Sequence, residues 1–170
     1  PLFGPGGERG IYKTVDGGRS WRRVLAGDDD TGGNDIVMSA ADPKVLFASM
    51  YQRRRSECCF NGGGPGSGLF KSTDGGETWA RVAGGYPSGE LGRIAVDVAR
   101  SNPNIVYSLV EAPAAAAPAG GAVASNAPTN NQTSGLWRSD DGGATWARVN
   151  GANPRPMYFS KLAIDPSNAE

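Results

Sequence analysis

The sequence contains no histidine, so the side chain most often used as a general base or metal ligand is missing from all 170 residues. Acidic and basic side chains are equal in number, 17 of each, so the chain lacks the basic field that holds nucleic acid. No apolar run approaches the roughly 20 residues that cross a bilayer. These absences predict no cofactor, no metal, no nucleic-acid partner and no membrane-spanning segment. Membrane attachment would come only through a partner.

Cysteine is scarce, and its two copies, Cys58 and Cys59, are adjacent. A small scaffold held together by disulfides needs more cysteines at wider spacings. Two neighbouring cysteines can close only a strained ring. We therefore expect two free or partly buried thiols in a loop.

Glycine is abundant, with 26 copies, and much of it lies in an internal repeat. A motif that reads Gly-apolar-aromatic-basic-Ser/Thr-x-Asp-Gly-Gly-x-Ser/Thr-Trp spans Gly10–Trp21, Gly68–Trp79 and Gly135–Trp146. A second apolar element alternates with it and begins near Ile36, Arg93 and Lys161. Repeats on this scale are typical of solenoids and propellers.

Each repeat unit reads as four short strands, because its apolar and aromatic runs are brief and are bounded by turn residues. Strand A is followed by an Asp/Pro/Asn turn, strand B by a long loop, and strand C by a Gly-Gly turn into strand D. The predicted strands are A at Ile36–Ser39 and Ile94–Asp97, B at Val45–Tyr51 and Ile105–Val110, C at Gly68–Ser72 and Gly135–Ser139, and D at Thr78–Val82 and Thr145–Val149.

The repeated aspartate has a structural interpretation: its carboxylate accepts backbone N–H bonds across the turn between strands C and D. The glycines adopt backbone angles that other residues resist, and the tryptophan closes the hairpin. Three copies spread around a ring would not form one catalytic or metal cluster. The structural residues of the three turns are Asp16, Gly18 and Trp21, then Asp74, Gly76 and Trp79, then Asp141, Gly143 and Trp146.

These motifs resemble the Asp boxes, or BNR repeats, of bacterial sialidases, xyloglucan-cleaving glycoside hydrolases, the sortilin ectodomain and the photosystem II assembly-factor propeller. The fuller pattern is most similar to large secreted bacterial proteins of sortilin-like or BNR-repeat type. The resemblance implies an all-β fold: a β-propeller segment of about three four-stranded antiparallel blades with Asp-box hairpins. Such families close with more blades, so we expect this segment to belong to a larger propeller or to be covered by a partner.

The repeats predict a division of the chain at the blade boundaries. Residues 1–34 hold the C–D hairpin of a first blade and a loop, and residues 35–91 a second blade with a long B–C loop at 52–67. Residues 92–158 hold a third blade whose low-complexity B–C loop, 111–134, reads as a flexible surface excursion. Residues 159–170 are the first strand of a fourth blade.

No set of residues in this segment matches the catalytic residues that a glycosidase requires. A sialidase resemblance would require an arginine triad drawn from separate blades, whereas Arg53, Arg54 and Arg55 are consecutive. A xyloglucanase would require two facing aspartates. The candidates outside the boxes are Asp35, Asp42, Asp97 and Asp165; the last three are interpreted as one recurring turn position. The acidic run Asp28–Asp30 lacks the closing glutamate of a calcium loop, so we interpret it as a solvated acidic loop.

We therefore expect a non-catalytic, extracytoplasmic propeller module of bacterial origin, periplasmic or secreted. It would bind a protein partner or stabilise a larger assembly, which the assembly-factor and sortilin resemblances favour. The long loop of the second blade carries the predicted interaction residues Tyr51, Arg53, Arg54, Arg55 and Phe60, a composition typical of binding hot spots. The alternative is a segment of a secreted carbohydrate-active enzyme, sialidase-like or xyloglucanase-like, whose active residues lie elsewhere.

Overall fold

The structure, a computed structural model, describes residues 4–112, 133–154 and 156–169. Most of the predicted low-complexity excursion at 111–134 lies outside these residues. Within them the chain forms twelve strands and one short helix. The strands are β1 Gly10–Lys13, β2 Arg22–Ala26, β3 Thr31–Met38, β4 Leu46–Gln52, β5 Arg54–Arg55, β6 Phe60–Asn61, β7 Gly68–Ser72, β8 Ala80–Arg81, β9 Ile94–Val98, β10 Val106–Val110, β11 Gly135–Ser139 and β12 Ala147–Asn150, and the helix is α1 Pro156–Phe159.

The strands assemble into up-and-down antiparallel units that follow the repeat. Strands β3-β4-β7-β8 form one four-stranded sheet, the second blade, and β9-β10-β11-β12 form another, the third blade. Strands β1 and β2 form a two-stranded unit, the first hairpin, and β5 and β6 pair with each other. The predicted all-β fold with four-stranded antiparallel blades is confirmed.

Strand C has the predicted bounds in both complete blades, whereas strand A of the second blade begins earlier than expected. Strand β3 starts at Thr31, and the glycine pair Gly32–Gly33 continues its ladder opposite Tyr51 and Met50. Apolar patterning does not detect this extension, because the ladder is made by backbone groups that glycines supply as well as other residues do.

The segment expected to open a fourth blade differs from the prediction. Helix α1 ends at Phe159, where this segment begins, and residues 160–169 form no strand. A strand needs a neighbour for its backbone groups, and no described segment runs beside these residues as a partner strand. Ile164 nevertheless contacts the third blade, because its backbone N–H donates to an Asp97 carboxylate oxygen at 2.8 Å.

The main apolar core lies between the second and third blades. Phe47 and Leu69 of the second blade are almost fully buried, as are Ile94, Val106 and Val110 of the third. Valine, isoleucine and aromatic side chains suit the pleated faces of two sheets packed together. The two blades therefore share one core, as expected of repeat architectures.

Two aspartates tie successive blades together through their backbones. One Asp35 carboxylate oxygen accepts from its own neighbour Ile36 at 3.0 Å, and the other from Val96 of the third blade at 3.2 Å. Asp97 repeats this arrangement, accepting from Val98 at 2.9 Å and from Ile164. Both carboxylates therefore act as bridges between consecutive units.

The predicted equivalence of Asp42, Asp97 and Asp165 is wrong. Asp42 caps a turn, because its carboxylate accepts from the backbone N–H of Lys44 at 2.9 Å. The Asp165 carboxylate accepts in the same way from the backbone N–H of Ser167 at 2.8 Å. In the third blade this position is Asn102, which accepts from Asn104 at 3.2 Å. Asp97 lies within β9, five residues before Asn102, so its closeness in sequence to the turn was misleading.

The blades have two rims of different character. The edge that we call the turn rim carries the tight A–B turns and the Asp-box turns, since Leu46 at the start of β4 lies opposite Met38 and Ser72. The opposite edge, the loop rim, carries the long B–C loops and the D–A connections. No helix among the described residues is long and apolar enough to cross a membrane.

Candidate functional site

The Asp-box turns are closed by a compact set of side-chain hydrogen bonds. Asp141 accepts from the backbone N–H groups of Ala144 and Thr145 at 2.9 and 2.8 Å, and from the Thr145 hydroxyl at 2.6 Å. The Ser139 hydroxyl donates to Asp141 at 2.7 Å and accepts from Gly143 N–H at 2.7 Å. Asp74 makes the corresponding bonds with Ser72, Glu77 and Thr78, and Asp16 with Thr14 and Ser20.

In the third box, both the backbone conformation and the space available require glycine at the second glycine position. Gly143 has a φ of 92°, in the region that disfavours side chains, and a Cβ there would lie 2.8 Å from the Phe47 ring. Phe47 belongs to the second blade, whereas Gly143 belongs to the third. The Asp-box turn therefore packs against the blade before it.

Hydrogen bonds hold the pKa of every Asp-box carboxyl below its usual range. The Ser20 hydroxyl is the largest cause at Asp16, whose pKa falls to about 2. The hydroxyls of Thr78 and Thr145 lower the pKa of Asp74 and Asp141 still further. A general acid in a glycosidase needs a raised pKa, so these carboxylates are suited to accept bonds and unsuited to donate a proton.

The Asp-box tryptophans differ in burial from one unit to the next. Trp21 is 61% exposed, Trp79 is half-buried, and Trp146 is 7% exposed. Trp146 meets Tyr86 edge to face at a ring separation of 4.9 Å, and its backbone N–H donates to Gly84 at 2.8 Å. Tyr86 and Gly84 lie in the connection between the second and third blades, so this burial depends on the preceding blade.

On the loop rim, the B–C loop of the second blade forms a small ordered hairpin, residues 53–61, which we call the finger. Arg54 pairs with Asn61 and Arg55 with Phe60 across it. The Arg54 guanidinium forms an ion pair with Asp30 at its base. Arg55 is exposed at the outer end of its strand, and Phe60 is 37% exposed beside it.

The expectation of two free thiols is wrong, because Cys58 and Cys59 form a disulfide at the tip of the finger. Both cysteines are exposed. The backbone N–H of Ser56 donates to the Cys59 carbonyl at 2.9 Å, which closes the turn at the same place. Sequence spacing alone did not reveal a bond that depends on how this turn folds.

Beneath the finger, polar side chains of two blades come together at the end of β4. Tyr51 contributes a buried hydroxyl that has no hydrogen-bond partner among the described residues, and the same holds for Arg93 Nε. Glu111 occupies the position of Tyr51 in the third blade and accepts from Arg93 N–H at 2.8 Å. A Cβ at Gly62 would lie 2.9 Å from the Tyr51 hydroxyl, so only glycine lets the finger approach this closely.

Burial dominates the electrostatics of this cluster. It raises the pKa of the Tyr51 hydroxyl, and the charge of Glu111 adds to that shift. It also raises the pKa of the Glu111 carboxyl, against the opposing effect of its bond from Arg93. Of the predicted interaction residues, Tyr51 thus lies under the finger, while Arg54, Arg55 and Phe60 lie on it. Arg53 links the end of β4, which carries Tyr51, to β5 of the finger.

Comparison with known proteins agrees with this geometry. The model of the BNR/Asp-box repeat family matches residues 70–81 and 137–148, the second and third boxes. The chain carries BNR/Asp-box repeats. No curated protein matches the chain in sequence.

Among solved structures, the Asp-box chain is similar to the GH74 xyloglucanase from Xanthomonas campestris, with a TM-score of 0.58 and 21% sequence identity. The match covers 93% of this chain and 21% of the xyloglucanase, so this chain spans about a fifth of the enzyme's length. At this identity the likeness shows the fold alone. The Asp-box chain is a segment with β-propeller architecture.

The described carboxylates of the Asp-box chain that were weighed for catalysis or for metal binding have structural partners. Asp35 and Asp97 bridge blades, Asp42 and Asp165 cap turns, and Asp28 accepts from the backbone of Asp30 and Thr31. Within residues 4–112, 133–154 and 156–169, no three carboxylates or cysteines are grouped to hold a metal ion. Glu111 and Arg93 are the functional candidates that sequence reasoning missed. Their signal was weak, since Glu111 follows strand B outside any motif and Arg93 merely opens the second apolar element.

Proposed function

We propose that the Asp-box chain is a non-catalytic propeller module that binds an acidic protein partner through the loop rim. The observation that carries the proposal is the finger, an ordered hairpin that presents exposed Arg55 and Phe60 side by side. Arginine and aromatic side chains dominate binding hot spots. The arginine guanidinium also forms paired hydrogen bonds with carboxylates.

The structure of the finger supports binding more than a flexible loop would. The base of the finger is fixed, because Arg53 N–H donates to the Asp30 carbonyl at 3.0 Å and Arg54 forms an ion pair with the Asp30 carboxylate. A contact surface that is already ordered loses less conformational entropy when a partner binds. The Asp-box turns lie on the other rim, where they stabilise the blades without obstructing the finger.

We further propose an extracytoplasmic location, periplasmic or secreted. The Cys58–Cys59 disulfide supports it, since disulfides persist in oxidising compartments and are rare in the cytosol. In that setting the module would stabilise a larger assembly, and any attachment to a membrane would come through the partner.

The test removes positive charge from one rim at a time. The variant Arg54→Ala/Arg55→Ala removes two arginines from the finger. The matched control Arg19→Ala/Arg100→Ala removes two exposed arginines from the turn rim, one in an Asp-box turn and one in an A–B turn. Binding of a fluorescent glutamate-rich peptide is measured by anisotropy at low and high salt, and a pull-down from membrane and periplasmic fractions is compared across the same proteins.

We expect the finger variant to lose roughly tenfold in affinity at low salt and less at high salt, because salt screens exposed charges. The control should bind like the parent protein. Equal losses in the two variants would indicate a general charge effect and would contradict a specific role for the finger. Recovery of oligosaccharide without any protein partner would contradict a protein partner altogether.

A second candidate function is a segment of a carbohydrate-active enzyme. The Glu111 carboxyl favours it, because burial raises the pKa of Glu111 and the side chain lies near the Tyr51 hydroxyl. A raised pKa suits a general acid, but glycoside hydrolysis needs a second carboxyl group. That second group would come from outside this segment. Hydrolysis of xyloglucan, β-glucan or a sialoside that disappears in Glu111→Gln would establish this candidate.

A further inference from the structure

We infer that Cys58–Cys59 is a thiol–disulfide exchange site that controls the order of the finger. The two sulfur atoms belong to exposed residues at the tip of the hairpin, so a reductant can reach them without unfolding either blade. Exposed disulfides are the ones that exchange readily, whereas structural disulfides are buried and inert. The substrate class is a dithiol, either a small molecule or a protein with two nearby cysteines.

The exchange is balanced in two steps. A thiolate of the dithiol attacks one cysteine sulfur, forms a mixed disulfide with it and releases the other cysteine as a thiolate, which takes up a proton. The second thiol of the reductant, as a thiolate, then attacks the reductant sulfur of the mixed disulfide. The first cysteine leaves as a thiolate and takes up a proton. Two electrons have passed to the protein, and the dithiol has become a disulfide.

The order of the finger depends on this bond because little else holds the tip. Besides the disulfide, the described connections across the hairpin are two residue pairs, Arg54 with Asn61 and Arg55 with Phe60, and the bonds from Ser56 to the Cys59 carbonyl. Short two-stranded hairpins are marginally stable in water. The disulfide restricts the backbone of the turn and so reduces the entropy that folding of the tip must overcome. Once it is reduced, the base remains anchored at Asp30 while the tip opens.

The opening can be measured by limited proteolysis, because trypsin cuts after arginine and Arg55 lies next to the tip. The peptide bond between Arg55 and Ser56 should be cut about tenfold faster in the reduced protein, since cleavage follows the population of the open finger. Cutting after Arg100, in the exposed A–B turn of the third blade, serves as the internal control and should not change. Alkylation and intact mass report the redox state of the two thiols in the same samples.

The variant Cys58→Ser/Cys59→Ser separates the disulfide from side effects of the reductant. It should be cut after Arg55 at the fast rate whether or not dithiothreitol is present. The inference is overturned by two free thiols in protein purified in air, by a disulfide that resists dithiothreitol until the blades unfold, or by equal cleavage of the oxidised and reduced finger.

The consequence for binding rests on the proposed function. If the finger holds an acidic partner, the reduced protein and the double serine variant should bind the glutamate-rich peptide several-fold more weakly than the oxidised protein. If neither redox form binds while labelling and proteolysis change as expected, the proposed function fails and the exchange site stands.

Discussion

The first hairpin and the third blade carry the same Asp-box motif in very different surroundings. Asp16 and Asp141 accept the same kinds of bonds from a serine or threonine four residues later, at 2.9 and 2.8 Å from the backbone N–H. The indole N–H of Trp21 donates to Gly18 at 3.1 Å, and that of Trp146 to Gly143 at the same distance. The hairpins are therefore alike within themselves.

The difference lies in what covers the tryptophan. Trp146 is buried against Tyr86 and the second blade, whereas Trp21 remains 61% exposed because no described unit lies before the first hairpin. The box thus has two separable parts: a carboxylate that closes its own turn, and an indole whose contribution depends on the preceding blade. Substitution of the same residue, either the tryptophan or the aspartate, in both hairpins distinguishes the two contributions.

The largest expected effect is at the indole. Trp146→Ala should lower the free energy of unfolding by about 3–5 kcal/mol, as other buried aromatic truncations do. Trp21→Ala, its matched control, should cost less than about 1 kcal/mol because the side chain is largely solvated. Urea unfolding followed by circular dichroism measures both. Similar losses at the two positions would contradict the claim that the indole acts through the preceding blade.

The next effect is at the carboxylates that join the blades. Asp97→Ala and Asp35→Ala should each cost about 1–3 kcal/mol, because each leaves backbone N–H groups of two units without their acceptor. The control is Asp42→Ala, which removes a cap from a solvated turn and should cost less. If all three variants melt alike, the bridges contribute nothing beyond local capping.

Acid should destabilise the two hairpins in the same direction, because hydroxyl and backbone N–H groups at corresponding positions lower the pKa of both carboxyls. The pKa of Asp16 in the fold, about 2, lies below the value of about 3.9 for an unfolded aspartate. The carboxylate therefore stabilises the fold fully above pH 4, and this contribution is lost as the pH falls toward 2. Asp16→Asn and Asp141→Asn should both flatten the decline of melting temperature between pH 5 and pH 2. A flatter profile in only one of them would contradict this.

The smallest effect concerns the charges that hold the first hairpin to the second blade. Glu77 accepts from Lys13 at 2.6 Å and from Arg22 at 2.5 Å, all at the surface. Glu77→Gln should lower the melting temperature slightly at low salt and not at high salt, since exposed ion pairs are weak and screened. A loss that persists at high salt would show that the first hairpin is held by more than surface charge.

Local features of the fold were predictable to within a residue or two. Strands β7 and β11 have the predicted bounds, because each is followed by a box whose hydrogen bonds end the strand at a defined serine. The extension of β3 through its glycines, the absence of a strand in described residues 160–169 and the Cys58–Cys59 disulfide were not predicted. Each depends on backbone geometry that apolar patterning does not record.

The candidate site also has a part that the sequence predicted and a part that it did not. The arginines and Phe60 of the long loop were identified by composition, but their arrangement as a finger over Tyr51 was not. Glu111 and Arg93 were missed because nothing in the sequence shows that the backbone of Arg93 meets the carboxylate of Glu111. They became candidates only when two blades brought them to one place.

Local sequence is enough to specify the Asp-box turns, since the side-chain bonds that close them join residues at most four apart. The tertiary structure alone decided which tryptophan is buried, which aspartates bridge blades and where a carboxyl meets a tyrosine. Those outcomes depend on partners some sixty residues away, as between Asp35 and Val96 with a separation of 61. Such contacts form only when one blade packs on the next, because the apolar faces of both must leave water together.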